Sequence, residues 1–339
     1  MRRRAFISTV SSGGAAALVT EGCSSAVTYS KPPAPGHRKK DLPPDSTNRV
    51  TVATCQFAIS ADIERNCTAV TNQMRLAKME GANVAHFSET SLGGYAGVDF
   101  DSFEGYDWTL LKRCTLRIMS LANELDIWVI LGSNHRLTGD NKPHNSLYVI
   151  DNRGKILDRY DKMFCTGNRE ETSGDLKHYT PGSRFVLFDL AGVTCGLQIC
   201  HDMRYPEMYR EYKKLGAQLM FHSYYNGKRS FDDPDDPDKN IHKVITEPTM
   251  QTYAAVNSMW ISTNNTATKE SSWPSFFVRP DGVVTGRLKR NAEAILISTV
   301  DTGNSYYDAS RAWRDRAMNG VFHSGTLVTD PRSDNRRSL

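Results

Sequence analysis

Three side chains of complementary reactivity, Glu89, Lys162 and Cys200, each stand directly after a strand-like run: NVAHFS, KILDRYD and GVTCGLQI. In α/β sheets, sites gather at the carboxyl ends of strands, where loops expose side chains held by a rigid scaffold. A cysteine attacks only as thiolate, or with a base ready to take its proton. Glu89 has the chemistry to accept that proton, hand it to a leaving amine and then activate water. Lys162 is suited to stabilising a tetrahedral oxyanion, helped by the backbone N–H of His201, the residue after the nucleophile. Together they describe acyl transfer through a thioester, followed by hydrolysis. The competing reading makes Glu89 and Lys162 an ordinary surface pair and Cys200 a packed thiol. Position alone does not separate the two.

The elements that must position these groups alternate along the chain. Residues 50–57, 83–87, 127–133, 147–150, 155–160, 185–190, 192–199, 219–223, 259–263, 275–279 and 294–300 read as strands, rich in β-branched and apolar residues. Residues 62–80 read as a helix whose buried face carries Ile63, Cys67, Val70, Met74 and Leu76. Further helices are expected over 108–125, from Pro206 to Leu215, and over 242–256. Such alternation argues an α/β domain with helices layered over sheet.

The 339 residues suffice for a sizeable core, and 39% hydrophobic with 24% charged residues is the usage of a globular protein. The net charge of +4 is modest and is concentrated partly in the first fifty residues, so no nucleic-acid surface is expected. Seven cysteines without a spaced framework give no disulfide scaffold; each is by default a small buried hydrophobe. No apolar run is long enough to span a bilayer.

Residues 1–23 carry Arg3-Arg4 ahead of a short, weakly apolar stretch, which resembles a twin-arginine export signal. Cys23 after Gly22 resembles a lipid-acceptor cysteine, although Glu21 fits that pattern poorly. The expectation is export to the periplasm or envelope, with a cytoplasmic location as the alternative. Residues 24–49, with five prolines, read as a semi-extended linker; the folded domain is expected over 50–301 and a polar, surface or subunit-bridging tail over 302–339.

Three segments carry a resemblance to a known family. SETSLGGY (88–95), RYDK (159–162) and GLQICHDMRYPEMYR (196–210) resemble, in order, the glutamate, lysine and nucleophile segments of the nitrilase superfamily of carbon–nitrogen hydrolases. The resemblance covers about Val50 to Asp301. It implies a four-layer α-β-β-α sandwich, a homodimer or larger homo-oligomer, and neither metal nor organic cofactor. It implies Glu89 as base, Lys162 as oxyanion partner and Cys200 as nucleophile, with Arg204 and Glu207 bracing the nucleophile loop. Cys-His-Asp in place of the Cys-Trp-Glu typical of enzymes acting on nitriles favours a small amide or N-carbamoyl substrate.

The chain departs from the family pattern in three places. Lys162 is followed by Met163-Phe164-Cys165 where a His-Leu pair is usual two residues on. The second acidic residue, expected ahead of Pro181-Gly182, is absent as a glutamate at the usual offset; Asp175 is the preferred candidate, with Glu171 and Glu170 further away. The strand after the nucleophile reads FHSYYNG (221–227), bulkier and more polar than usual, so His222, Tyr224 and Asn226 are expected to line the pocket together with Tyr95. For His222 the rival reading is a hydrogen-bonded core histidine.

Other chemistries fit less well. There is no G-x-S-x-G elbow, dinucleotide fingerprint or P-loop. A zinc site from Cys195, Cys200 and His201 is disfavoured, because residues five apart on one strand face opposite sides. The run DDPDDPD (232–238) reads as a loop whose prolines break calcium-ligand spacing. An acyl transferase using the same triad, or a catalytically silent exported binding protein, remain as alternative functions.

Overall fold

The computed structural model describes residues 48–226, 241–269 and 271–337. The export signal, Cys23, the linker up to residue 47 and the acidic run 232–238 lie outside them.

Twelve strands form two six-stranded sheets. The first contains β1 (Arg49–Gln56), β2 (Val84–Phe87), β3 (Trp128–His135), β4 (His144–Ile150), β5 (Ile156–Asp161) and β12 (Ala294–Asp301), in the order β12-β1-β2-β3-β4-β5. The second contains β6 (Leu187–Leu190), β7 (Val193–Ile199), β8 (Leu219–Ser223), β9 (Trp260–Asn264), β10 (Phe276–Val278) and β11 (Val284–Arg287), in the order β11-β10-β9-β8-β7-β6. Both sheets repeat one pattern of directions. A parallel trio, β1-β2-β3 or β7-β8-β9, is flanked by antiparallel strands. Buried on both faces, the parallel strands read as nearly continuous apolar runs.

Four helices complete the layers. α1 (Ile63–Met79) is capped by Asp62, whose carboxylate accepts from the N–H groups of Glu64 and Arg65, both at 3.0 Å. It buries Ile63, Cys67, Val70, Met74 and Ala77 against the first sheet. The expected Leu76 is instead 40% exposed, because Ala77 is the residue that keeps the 3–4 spacing. α2 (Trp108–Leu125) packs beside α1, while α3 (Pro206–Lys214) and α4 (Ile241–Asn257) cover the second sheet. The sandwich is therefore α-β-β-α.

The central layer packs Val50, Val52, Val84 and Ile130 of the first sheet with Leu197, Ile199, Leu219 and Phe221 of the second. Polar ties cross it. His86 bonds the Ser262 and Ser223 hydroxyls at 2.8 and 2.9 Å, and Asn264 donates to the Cys55 carbonyl at 2.9 Å. Burial, helped by the nearby His222, pushes the His86 imidazole down to about 3, so it is neutral there.

β11 was not expected: VTGR is short and polar, and its burial alternates weakly at a sheet edge. Past β12 the tail carries only short helices. Buried Arg314 pairs with Asp308 and donates to the Val256 carbonyl of α4 at 3.0 Å, fastening the tail's first part. Among the described residues no helix is long and apolar enough to cross a membrane.

Candidate active site

The first sheet supplies the charged half. β2 ends at Phe87, and the chain turns sharply through Ser88, Glu89 and Thr90, the last with φ +51°. That turn lies against β3 at Gly132, where a Cβ would strike the Ser88 carbonyl and the Thr90 nitrogen. The Glu89 side chain is thus directed into the interior, where it is fully buried. Its Oε1 accepts from Asn145 Nδ2 and Lys162 Nζ, both at 2.8 Å, and its Oε2 from the Tyr225 N–H at 2.8 Å.

Lys162 follows β5. Its backbone is held by the Asn145 carbonyl (2.9 Å) and by the N–H of Gly182 (2.8 Å). Its ammonium lies 2.7 Å from Asp175 Oδ2 and 3.2 Å from the Tyr95 hydroxyl. Asp175 opens a 3-10 turn, Asp175–Lys177, after Gly174 at φ +59°. Its Oδ1 accepts from the Tyr95 hydroxyl at 2.5 Å and its Oδ2 from the Thr166 N–H at 2.9 Å. Of the three acidic candidates, Asp175 is the one at the lysine, and Glu170 is exposed. Glu171 is exposed, 3.5 Å from Lys142.

Two carboxylates and one ammonium share this buried space, and their titrations diverge. Burial raises Glu89, and the charge of Asp175 adds to that, while the Lys162 ammonium opposes it without cancelling it. Burial also works against ionised Asp175, but the ammonium and the bonds from Lys162, Tyr95 and Thr166 outweigh it, so Asp175 is held below the usual carboxylate range. Burial likewise opposes the charge on Lys162. The Asp175 and Glu89 carboxylates reverse that and hold it well above an ordinary lysine. Of the two carboxylates, Asp175 is thus the one held ionised beside the ammonium, and Glu89 the one with raised proton affinity.

The second sheet supplies the thiol. β7 ends at Ile199 and Cys200 opens a 3-10 turn, Cys200–Arg204. Cys200 has φ +43°, a conformation costing a side-chain-bearing residue roughly 1–2 kcal/mol. The turn is gripped from two directions. His222 Nε2 lies 3.3 Å from the Cys200 carbonyl, with Nδ1 2.7 Å from the Tyr209 hydroxyl. Burial pushes the His222 ring down to about 3, so it is neutral. On the other side the buried Asp202 carboxylate accepts from the Ile199 N–H. Arg204 and Glu207, which the resemblance assigns to bracing this loop, are exposed, and Arg204 Nη2 lies 3.1 Å from His242 Nδ1 on α4.

The two halves meet at a cavity of about 230 Å³ lined by Cys200, Lys162, Asp175, Tyr95, Tyr225 and His178, among others. Of the expected pocket residues, Tyr95 lines it. His222, Tyr224 and Asn226 do not: His222 stacks on Tyr224 (4.2 Å, 13°) beneath α3, and Asn226 is tied through its N–H to Asn265 Oδ1. The cause is strand alternation in β8, which turns Ser223 toward the first sheet and His222 toward the helices. His201 is half-buried at the start of the turn, its ring edge-on to Tyr205. Tyr225 was missed. No residue-type signal marks it, since its contribution to Glu89 is a backbone N–H. Among the described residues no group of three or more His, Cys, Asp or Glu is arranged to hold a metal.

A model of the carbon–nitrogen hydrolase family matches residues 51–306. An N-carbamoylputrescine amidase of Solanum tuberosum is 26% identical over 270 residues, covering 74% of this chain and 86% of that protein. An omega-amidase of Mus musculus is 27% identical over 172 residues, covering 50% of this chain and 61% of its own length. Among solved structures, an amidase from Nesterenkonia sp. superposes with a TM-score of 0.62 at 18% identity, over 82% of this chain and 98% of that one. That likeness identifies the four-layer sandwich.

Proposed function

The chain belongs to the carbon–nitrogen hydrolase family, and on that premise we propose that it hydrolyses a small amide or N-carbamoyl compound through a thioester on Cys200. The observation that carries this reading is the pairing, at one cavity, of the Cys200 thiol with a buried ammonium held between two carboxylates of divergent titration.

The Cys200 sulfur attacks the amide carbon as Glu89 takes the thiol proton. The carbonyl oxygen becomes an oxyanion, stabilised by the Lys162 ammonium and the His201 backbone N–H. Glu89 returns its proton to the nitrogen, the carbon–nitrogen bond breaks, and ammonia leaves a thioester. A water molecule, deprotonated by Glu89, attacks the thioester. The acid departs and the thiol recovers its proton. Overall, amide and water give acid and ammonia.

A glutamate raised by burial is suited to both directions of transfer. Asp175 keeps Lys162 charged throughout, so that Glu89 need not act as its sole counter-ion. At about 230 Å³ the cavity falls below the roughly 300–1,000 Å³ of drug-sized ligand sites, which favours a small acyl portion.

The test is ammonia release across amides, N-carbamoyl amino acids and nitriles by the wild-type chain and Cys200→Ala. Release from an amide or N-carbamoyl compound, lost in the variant, supports the proposal. Release from nitriles alone, or from none of the panel, contradicts it.

A further inference from the structure

Lys162 and Cys200 belong to different sheets, the first following the edge strand β5 and the second following β7. No covalent feature fixes the ammonium at the right distance from the sulfur. The Phe164 and Tyr205 rings stack across the gap at 3.5 Å, and one carboxylate hydrogen-bonds to both sides of it. Asp202 lies two residues after Cys200 and is fully buried. Its Oδ2 accepts from the Ile199 N–H at 2.9 Å and from the Tyr160 hydroxyl at 2.7 Å. Its Oδ1 accepts from the Phe164 N–H at 2.9 Å. Ile199 immediately precedes the thiol residue, and Tyr160 and Phe164 flank Lys162 by two residues on either side.

We propose that Asp202 is a positioning residue for the reaction, its carboxylate tying the turn that carries Cys200 to the segment that carries Lys162. It reaches neither substrate nor sulfur in this role; it acts through the two backbones it joins. Only a carboxylate fits. All three partners donate, and an ionised acid offers acceptors on both oxygens. An asparagine keeps one acceptor and turns an NH₂ group either on the Phe164 N–H or on the Ile199 N–H. At least one backbone anchor is then lost, with two donors facing each other. Burial pushes the Asp202 carboxyl up to about 6, while the bonds from Tyr160, Ile199 and Phe164 hold it down, so it is ionised at pH 8.

The turnover readout rests on the amide-hydrolase reading, so the deciding measurement is one that needs no substrate. In the full-length chain, Cys200 alkylation by iodoacetamide at pH 8 is followed by peptide mass for wild type, Asp202→Asn and Tyr160→Phe. If Asp202 merely contributed charge, removing an anion near the thiol would favour thiolate and speed alkylation. If it positions, the sulfur drifts from the Lys162 ammonium and alkylation slows. The expected result is a rate about ten-fold lower in Asp202→Asn and a smaller loss in Tyr160→Phe, which removes one of the carboxylate's two ties to the Lys162 segment. With a turned-over amide, kcat of Asp202→Asn is expected to fall roughly 100-fold, the cost of about an ångström of misplacement, with KM nearly unchanged.

Unchanged or faster alkylation in folded Asp202→Asn overturns the proposal, whatever turnover does. If that variant does not fold, Tyr160→Phe decides: a slower rate supports the clamp and an unchanged one overturns it. Absence of any amide turnover in wild type defeats the hydrolase reading instead and leaves the alkylation result to judge the clamp.

Discussion

The two halves of the site are built on opposite principles. In the Glu89–Lys162–Asp175 cluster every charged group is buried, and both oxygens of each carboxylate are engaged by lysine, tyrosine, asparagine or backbone donors. In the Cys200 turn the proposed nucleophile is partly buried, has a positive φ, and is held through its carbonyl and through the neighbouring Ile199. On the proposed mechanism the first half acts as a fixed field and the second presents the nucleophile. Reorganising buried charges during reaction is costly, so they are locked beforehand, whereas the thiol must meet a substrate arriving through the cavity.

Breaking the comparison at its extremes separates chemistry from stability. Cys200→Ala should lower kcat by at least about 10⁴-fold while costing less than about 1 kcal/mol in urea unfolding, since only one partly buried sulfur is removed and no buried charge is stranded. Lys162→Met should do the reverse in emphasis. It strands two buried carboxylates and should cost about 3–5 kcal/mol in urea unfolding, besides abolishing turnover. Comparable destabilisation by both substitutions would erase the distinction drawn here. Asp175→Asn is a finer probe: the ammonium loses its permanent counter-ion, and about 1–3 kcal/mol of stability should go with it.

Titration sharpens the contrast further. His222, behind the nucleophile, is neutral in the fold with its pKa pushed down to about 3, whereas an unfolded histidine titrates near 6.5. Between those values the unfolded chain binds the extra proton. The stability from neutral His222 is therefore complete above about pH 6.5 and is lost as pH falls toward 3. Glu89 runs the other way: its pKa is raised, so its contribution is present below the ordinary carboxylate range and fades as pH rises. Urea unfolding at pH 6, 5 and 4 should show His222→Gln with a slope shallower by up to about 1.4 kcal/mol per pH unit. An identical slope would mean that His222 is already charged in the folded protein.

Much of this arrangement is written locally in the chain. Strand ends, the apolar face of α1 and the Pro206 helix start follow from periodicity and caps, and they suffice to bring Glu89, Lys162 and Cys200 to strand termini. Asp175 was legible only as an offset from Pro181-Gly182. What local pattern lacks is the pairing of one sheet with the other. His222 and Ser223 are adjacent polar residues in one short strand, and only the packed sandwich decides which faces the helices. Asp202 was equally hidden, because its three partners come from two segments far apart in sequence.

The central claim is a covalent intermediate on Cys200. It is tested most directly by mixing the wild-type chain with a turned-over amide, quenching in acid within the first turnover, and mapping peptide masses. The account predicts the Cys200 peptide carrying the substrate's acyl group, its mass increased by substrate minus ammonia. An adduct on a different residue, or continued turnover with Cys200 unmodified throughout the first turnover, would contradict it.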